Sequence, residues 1–411
     1  MIAYSNHMYF RSHRIVWLPL ALNMFIVAWG GNEFTPLLVH YRLEGAFSDF
    51  IVDSMLVAYA LGVAVGLLGA GQVTDHVGRK PIMLPTPFLA VVGSVLISAG
   101  DNTPWLMATG RLCSGVAVGM AMTAGGAWMK ELSTARFEHN PAPTAGAKRA
   151  SMALTAGFSL GPAVSGTLAQ WAPFPTHLAY VTHIIATLLL APMLLTVPET
   201  RQPAHLPTLR DVCADFPIRG CLRPHFLWVV APTAPWVFGA CFVAAAILPA
   251  QLQSSVSVPV ALSALMTMST LGIGFGVQQL GSRLIGNYSG RGPIIGMSCA
   301  VLGMCAAVQT VSTHSLLWTV ASCTLLGLTY GVIVFTGLSF VQAMAEPREL
   351  ATMTGVFYCL TYVGMLFPAA LTKLGNFFTF QQMLGCGVVV AVVTLVVCGS
   401  WAQRHSGELS K

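Results

Sequence analysis

Apolar residues run in long blocks from near the start of the chain to its end, separated by short segments rich in charge, glycine or proline. No block alternates with the period of two that a half-buried strand requires, and most are long enough to cross about 30 Å of hydrocarbon as a helix. The pattern predicts spans over residues 15–40, 51–72, 82–100, 105–129, 151–171, 177–197, 226–252, 260–283, 293–311, 316–341, 351–372 and 380–400. Helices are the expected form, because a helix satisfies its own backbone donors and acceptors where water is absent.

Composition supports the same class: 55% of the residues are apolar and only 8% are charged, against about a quarter in soluble domains. The formal charge of +6 is spread thinly, with no basic cluster or aromatic-basic platform, so it gives no reason to expect nucleic acid. Of 20 Lys and Arg, only Arg42 and Lys373 fall on one side of the predicted spans and Arg111 falls inside the fourth. The rest share the other side. By the positive-inside rule that side is cytoplasmic, with both termini there. The first span reads as an uncleaved anchor, since it is too long for a signal peptide and lacks a small-residue cleavage site. Eight of the 10 cysteines fall within spans, and Cys213 and Cys221 have no CxxC spacing, so they read as packing residues.

The polar stretch Pro198 to His225 separates two sets of six spans. The organisation expected is an amino-terminal six-helix half over 1–200, a cytoplasmic linker over 201–225 and a carboxy-terminal half over 226–411. A faint repeat supports duplication: Gly110, Gly115, Gly119, Gly125 and Gly126 in the fourth span have counterparts in Gly327, Gly331 and Gly337 of the tenth.

The loop after the second span reads "GQVTDHVGRK", Gly71 to Lys80. Gly71 suits a close helix approach and Gly78 a tight turn. Asp75 supplies an acid near a helix end, and Arg79 can bridge to Glu131 at the end of the fourth span. The simpler alternative makes Arg79 and Lys80 topology anchors alone. At every defined position the loop resembles the signature of the major facilitator superfamily. That resemblance implies two six-helix halves around a central cavity, and it implies that the loop, with Asp75 facing the start of the eleventh helix near Ala351, controls the cytoplasmic gate. The corresponding second-half loop is degenerate: Asn287 stands for the acid and Arg283 for the first glycine.

"GFSLGPAVSG" in the fifth span, with Gly157, Gly161, Pro162 and Gly166, resembles the glycine-proline motif of the drug/proton antiporters, although its final glycine pair is reduced to Ser165-Gly166. "GRLCSG" around Arg111 and "PET" at Pro198 to Thr200 also resemble segments of that family. Ordinary membrane-helix packing is the alternative use of the glycines and Pro162.

Only one carboxylate, Glu33 within "GNEFTP", lies deep inside a span. A carboxylate taken from water holds its proton, whereas a neighbouring cation favours release. Proton and cargo would therefore compete at Glu33, with Arg111 as the charge that tunes it. The alternative is that Glu33, about 28 Å along the helix from Arg14, reaches the outer interface. His183 and Asp53 are further candidate proton carriers, His183 having the alternative of a plain interhelix hydrogen bond. Expected around the cavity are Trp29, Asn32, Phe34, Tyr59, Met122, Trp236, Phe238, Met266, Tyr330, Phe335, Tyr358 and Tyr362, an aromatic and flexible wall suited to amphiphilic cargo.

The reading is a proton-driven antiporter that exports lipophilic small molecules from the cell, acting as a monomer in the inner membrane without cofactor or metal. A dedicated exporter of one metabolite, such as a siderophore, is the alternative. One charge crossing 100 mV supplies about 2.3 kcal/mol, roughly a 50-fold gradient. The chain has no phosphate-binding loop for an ATP motor, no HExxH catalytic motif, and too few intramembrane charges for a channel's ring.

Overall fold

The computed structural model describes residues 15–45, 47–142, 145–201, 218–284, 291–346 and 349–404. Among the described residues there is no strand, and the chain forms twelve helical rods. The first rod, α1, comprises Leu18–Asn32 and its continuation Phe34–Glu44; α2 is Asp49–Val77, α3 is Lys80–Ser98, α4 is Pro104–Leu132, α5 is Ala145–Trp171 and α6 is Pro175–Thr196. In the second set, α7 is Phe226–Leu252, α8 is Pro259–Leu284, α9 is Arg291–Thr313 and α10 is Leu316–Met344. The eleventh rod, α11, runs from Leu350–Val363 through the tight turn Gly364–Leu366 into Phe367–Leu374, and α12 is Phe380–Arg404. The chain is thus an all-helical polytopic membrane protein, as the apolar pattern predicts.

The division of α1 has a local cause. Pro36 has no N–H, so the carbonyl of Asn32 loses its normal donor four residues on. Glu33 nevertheless keeps helical angles, φ −60° and ψ −25°, and its own N–H bonds Trp29 O at 2.9 Å. The Thr35 hydroxyl donates to Asn32 Oδ1 at 2.7 Å, and the Ser165 hydroxyl of α5 donates to the Glu33 carbonyl at 2.7 Å. One side chain, Ser165, thus occupies the Glu33 carbonyl, Thr35 ties down the Asn32 side chain, and the rod continues.

Glycines set the closest helix contacts. A Cβ on Gly115 of α4 would meet the α2 backbone, with Val63 N at 2.9 Å, and Gly62 and Gly66 of α2 offer no side chain in return. The second half repeats this arrangement: a Cβ on Gly331 of α10 would lie 2.8 Å from Gly274 Cα of α8. The faint repeat of the fourth and tenth spans is therefore a repeat of packing, with α2 against α4 answered by α8 against α10. The two halves meet where α2 packs along α11 and α5 along α8. Gly71 departs from expectation. A Cβ there would sit 3.8 Å from Thr123 Cγ2, an ordinary contact, so no close helix approach depends on it.

The outer faces of α6 and α12 carry Leu188, Leu189, Val389, Val393 and Val396, between 56% and 72% exposed. A continuous apolar exterior of this kind belongs against lipid. The cysteines described are unpaired, consistent with packing rather than bridging. The degenerate second-half loop around Asn287 lies outside the described residues.

Candidate functional site

Glu33 is wholly buried at the break in α1, not at an interface. Its Oε1 lies 2.9 Å from the Ser94 hydroxyl of α3, within hydrogen-bond distance, and 3.7 Å from His183 Nδ1 of α6. Ser94 Oγ is also 2.8 Å from His183 Nδ1, and His183 Nε2 faces the Ile26 carbonyl of α1 at 3.0 Å. Gly30 makes room for the imidazole, since a Cβ there would overlap the ring. The cluster therefore joins α1, α3 and α6 inside the first half.

The expected Glu33–Arg111 pair is not formed as a contact. Arg111, also buried, donates from Nη1 to Gly31 O at 3.0 Å and from Nε to Met55 O at 3.4 Å. Its guanidinium lies over the rings of Tyr59 at 4.3 Å and Phe34 at 4.8 Å. Carbonyls and aromatic faces thus hold this charge. The groups around the Glu33 carboxyl are Ser94, His183 and the Trp29 indole, which ordinary helix composition would not distinguish.

One helical step from Glu33, Asn32 points elsewhere. Its Nδ2 donates to Phe158 O at 2.7 Å, and it lines a narrow cavity between the halves together with Tyr59, Phe158, Phe238, Cys241, Phe242, Ala245, Thr267, Leu271, Tyr362 and Met365. Rings meet across this cavity: Phe238 and Tyr362 are 4.4 Å apart, Tyr59 and Tyr362 6.2 Å. A drug-sized ligand needs these rings to part. Met122 of α4 approaches the Tyr362 hydroxyl at 3.7 Å, and Tyr330 stands behind Phe238 at 5.9 Å.

The other expected wall residues are not among those lining this cavity. Phe34 stacks on Tyr41 at 5.6 Å inside the first half, and Trp29 meets Phe25 edge-on at 5.9 Å against the glycine face of α5. Trp236 donates to Thr394 of α12 at 3.4 Å, Phe335 packs over Gly281 of α8, and Tyr358 packs against Phe357 at 5.6 Å. Met266 is buried in the core. Phe158, Phe242 and Met365 line the cavity unanticipated, because helices that are apolar all round give no rotational phase.

The α5 motif is a contact surface. Cβ atoms on Gly157 or Gly161 would strike α1, with Trp29 N at 2.9 Å and Trp29 O at 2.7 Å respectively, and one on Gly166 would meet Ala264 of α8 and Pro36. Pro162 sits inside the helix, buried beside them. The motif seats α1 on α5 immediately beside its break.

At the basic end, Arg79 donates to Glu131 from Nη2 at 2.7 Å and Nε at 3.1 Å, and the Thr200 hydroxyl bonds the same carboxylate. Glu199 of the "PET" segment accepts from the backbone N–H of Arg79 at 3.1 Å and Lys80 at 2.8 Å, placing an acid at the start of α3. Lys80 Nζ donates to Leu195 O at 2.7 Å. Gly78, with φ +100°, has Glu199 Oε2 where a Cβ would stand, at 2.7 Å. These bonds tie α3, α4 and α6 within one half; the side chains of Asp75 and Ala351, on which a latch across the halves was expected to rest, are outside those described. Glu199 went unrecognised in the sequence, although "PET" was its signal.

Asp53, at the far end of α2, is paired with Arg42 of α1 and accepts from the Thr372 hydroxyl of α11 at 2.5 Å. It therefore bridges the halves away from the buried cluster. Among the described residues no His, Cys, Asp and Glu group could hold a metal ion.

Residues 20–369 match the sequence profile of the Major Facilitator Superfamily. The chain is 29% identical over 167 residues to a gallate transporter of Pseudomonas putida, spanning 38% of this chain and 33% of that protein. It is 28% identical over 141 residues to Sugar transporter ERD6-like 15 of Arabidopsis thaliana, spanning 34% and 27%. The chain thus spans about a third or less of the length of these relatives. Among solved structures, the nucleoside transporter NupG superposes with a TM-score of 0.74 at 13% identity over 94% of this chain and 99% of that one, a likeness of fold.

Proposed function

Because the chain belongs to the major facilitator superfamily, we propose that it is a secondary transporter that exchanges protons for amphiphilic organic molecules across a cell membrane, with its basic end in the cytoplasm. The observation that carries the reading is the adjacency of Asn32, on the cavity, and Glu33, buried against Ser94 and His183. Cargo entering between Phe238 and Tyr362 meets the same turn of α1 that holds the intramembrane acid. Displacement of that turn alters the carboxyl's surroundings, and surroundings decide whether it keeps its proton. Arg111, fixed to Gly31 O two residues before Glu33, supplies positive potential that favours release.

The direction of export rests on the likeness of Gly157 to Gly166 to the antiporter motif. The Arg79–Glu131–Glu199 cluster serves as the brace of the cytoplasmic gate, and the cavity's aromatic lining suits apolar or aromatic cargo. A second reading is proton-linked uptake of a small hydroxylated or aromatic solute, favoured by the gallate and sugar transporters among the relatives.

Everted vesicles with an acid interior, loaded with a pH-reporting dye, separate the two. Export by antiport makes an added lipophilic cation, such as ethidium, drain the proton gradient in wild type and not in Glu33→Gln. Uptake makes gallate or a polyol acidify the interior of right-side-out vesicles instead. Proton movement with none of these compounds removes the coupled reading.

A further inference from the structure

The polar atoms around Ser94 can be satisfied in few ways, because a hydroxyl carries one hydrogen and a carbonyl oxygen only accepts. His183 Nε2 is 3.0 Å from the Ile26 carbonyl, so Nε2 bears hydrogen. Thr187 Oγ1, 3.1 Å from the same nitrogen, has its own hydrogen on the His183 carbonyl at 2.7 Å and presents a lone pair there. The tautomer is thereby fixed. A neutral His183 has its lone pair at Nδ1, facing Ser94 Oγ at 2.8 Å.

From this geometry we infer that Glu33 and His183 hold a single proton between them, relayed through the Ser94 hydroxyl. In one arrangement Glu33 is a neutral acid: Oε1–H donates to Ser94 Oγ, and Oγ–H donates to Nδ1. In the other, Nδ1–H donates to Oγ and Oγ–H donates to a Glu33 carboxylate. They interconvert when Oε1–H and Oγ–H break while Oγ–H and Nδ1–H form, so atoms and charge balance with no outside reactant. Without the shared proton, one of the two contacts sets lone pair against lone pair. With a second proton, the Ser94 hydrogen has no acceptor.

The neutral arrangement is the resting one, since separated charges away from water are costly. A second observation agrees: Glu33 Oε2 is buried without a well-formed hydrogen bond, the Trp29 indole being the donor near the carboxyl. A carbonyl oxygen of a neutral acid tolerates that better than a carboxylate does. The other titratable groups facing this interior are Arg111 from α4, spent on Gly31 O and Met55 O, and the hydroxyls of Tyr41 from α1 and Tyr180 from α6, which are 3.5 Å apart. From α3 and α5 the facing groups are Ser94 and Ser165, neither titratable near neutrality.

The inference deepens the proton-coupled reading by assigning its proton to a pair rather than to Glu33 alone, yet the pair exists whether or not transport uses it. Infrared spectra of purified protein at neutral pH are expected to show a protonated carboxyl band that Glu33→Gln removes. Ser94→Ala should shift or abolish that band, and Ser94→Thr should restore it. A wild-type spectrum without the band, or one that Ser94→Ala leaves unmoved, overturns the inference. Should Ser94→Ala not fold, nitrogen resonances of wild-type His183 decide: a neutral ring protonated at Nε2 supports the relay, and one protonated at Nδ1 overturns it. An intact band and tautomer in a protein that moves no protons in vesicles would sink the coupled function and leave the pair standing.

Discussion

Thr372 of α11 donates to Asp53 of α2 at 2.5 Å, so the far end of the cavity is closed by a hydrogen bond from one half to a carboxylate that the other half already pairs with Arg42. Both Asp53 and Arg42 are nearly buried, with 1% and 5% of their side chains exposed. Removing Thr372 takes away one bond. Removing Asp53 leaves a buried guanidinium with only the more distant Asp49, 4.0 Å away.

Thr372→Val is therefore expected to loosen closure at the far end by about 1–2 kcal/mol, a shift of roughly ten-fold in the conformational balance. Distances between spin labels at the far ends of α1 and α7 would report it as a larger open population.

Asp53→Ala is expected to do more, lowering thermal stability by about 3 kcal/mol because Arg42 loses its close counter-charge and keeps only Asp49, 4.0 Å away. The double change Asp53→Ala with Arg42→Ala should recover part of this. Melting in detergent that finds the double variant as weak as the sum of the singles would refute the pairing argument.

Two glycines give opposite expectations for one chemical change. Gly115→Ala drives a methyl into the α2 backbone beside Val63 and should cost about 1–3 kcal/mol or prevent assembly. Gly71→Ala, with 3.8 Å to Thr123, should be close to neutral for stability. Equal melting temperatures for the two would contradict the packing described.

At the basic end, Glu131→Ala leaves Arg79 without its carboxylate and frees the Thr200 hydroxyl, and a loss of about 1–2 kcal/mol is expected. Because Glu199 caps α3 through backbone N–H groups, Glu199→Gln should weaken the same region without touching the Arg79–Glu131 pair. Hydrogen exchange at the first turn of α3 separates the two: it rises in Glu199→Gln and much less in Glu131→Ala.

A pH effect is expected from the loop after α4. Hydrogen bonds from Arg149 hold the Glu138 carboxyl below the usual carboxylate range. A carboxyl lowered in the folded state adds stability that is present above its unfolded value, about 4.3, and fades as pH falls through the folded value. Arg149→Gln should flatten that acid limb of the stability curve. An unchanged limb would mean that Glu138 contributes nothing to it.

The spans were legible because the length and apolarity of a membrane helix are written directly in the sequence. Glu33 was legible for the same reason, as an acid where none is tolerated without cause. Its partners were not. Ser94 is one hydroxyl in an apolar helix, and the rotation of α3 about its axis, which aims that hydroxyl at Glu33, comes from packing against α4, α1 and α6. Likewise Tyr59 and Phe238 face the cavity while Phe34 and Trp236 do not, although all four are aromatic residues on expected lining helices. Gly71 belongs to a strong local motif, yet the contact expected of it is absent; Gly62 and Gly66, in no motif, make the contact instead.

The missing hydrogen bond at Pro36 gives α1 a joint whose two adjoining residues look in different directions, Asn32 toward the cavity and Glu33 toward Ser94 and His183. Neighbours on a helix are about 100° apart, so a small roll of this joint moves both at once and in fixed proportion. Distance between solute and acid then needs no intermediary: one peptide bond is the connecting rod, and stiffening it, as Pro36→Ala would by restoring a backbone donor, should leave each face intact while slowing the motion they share.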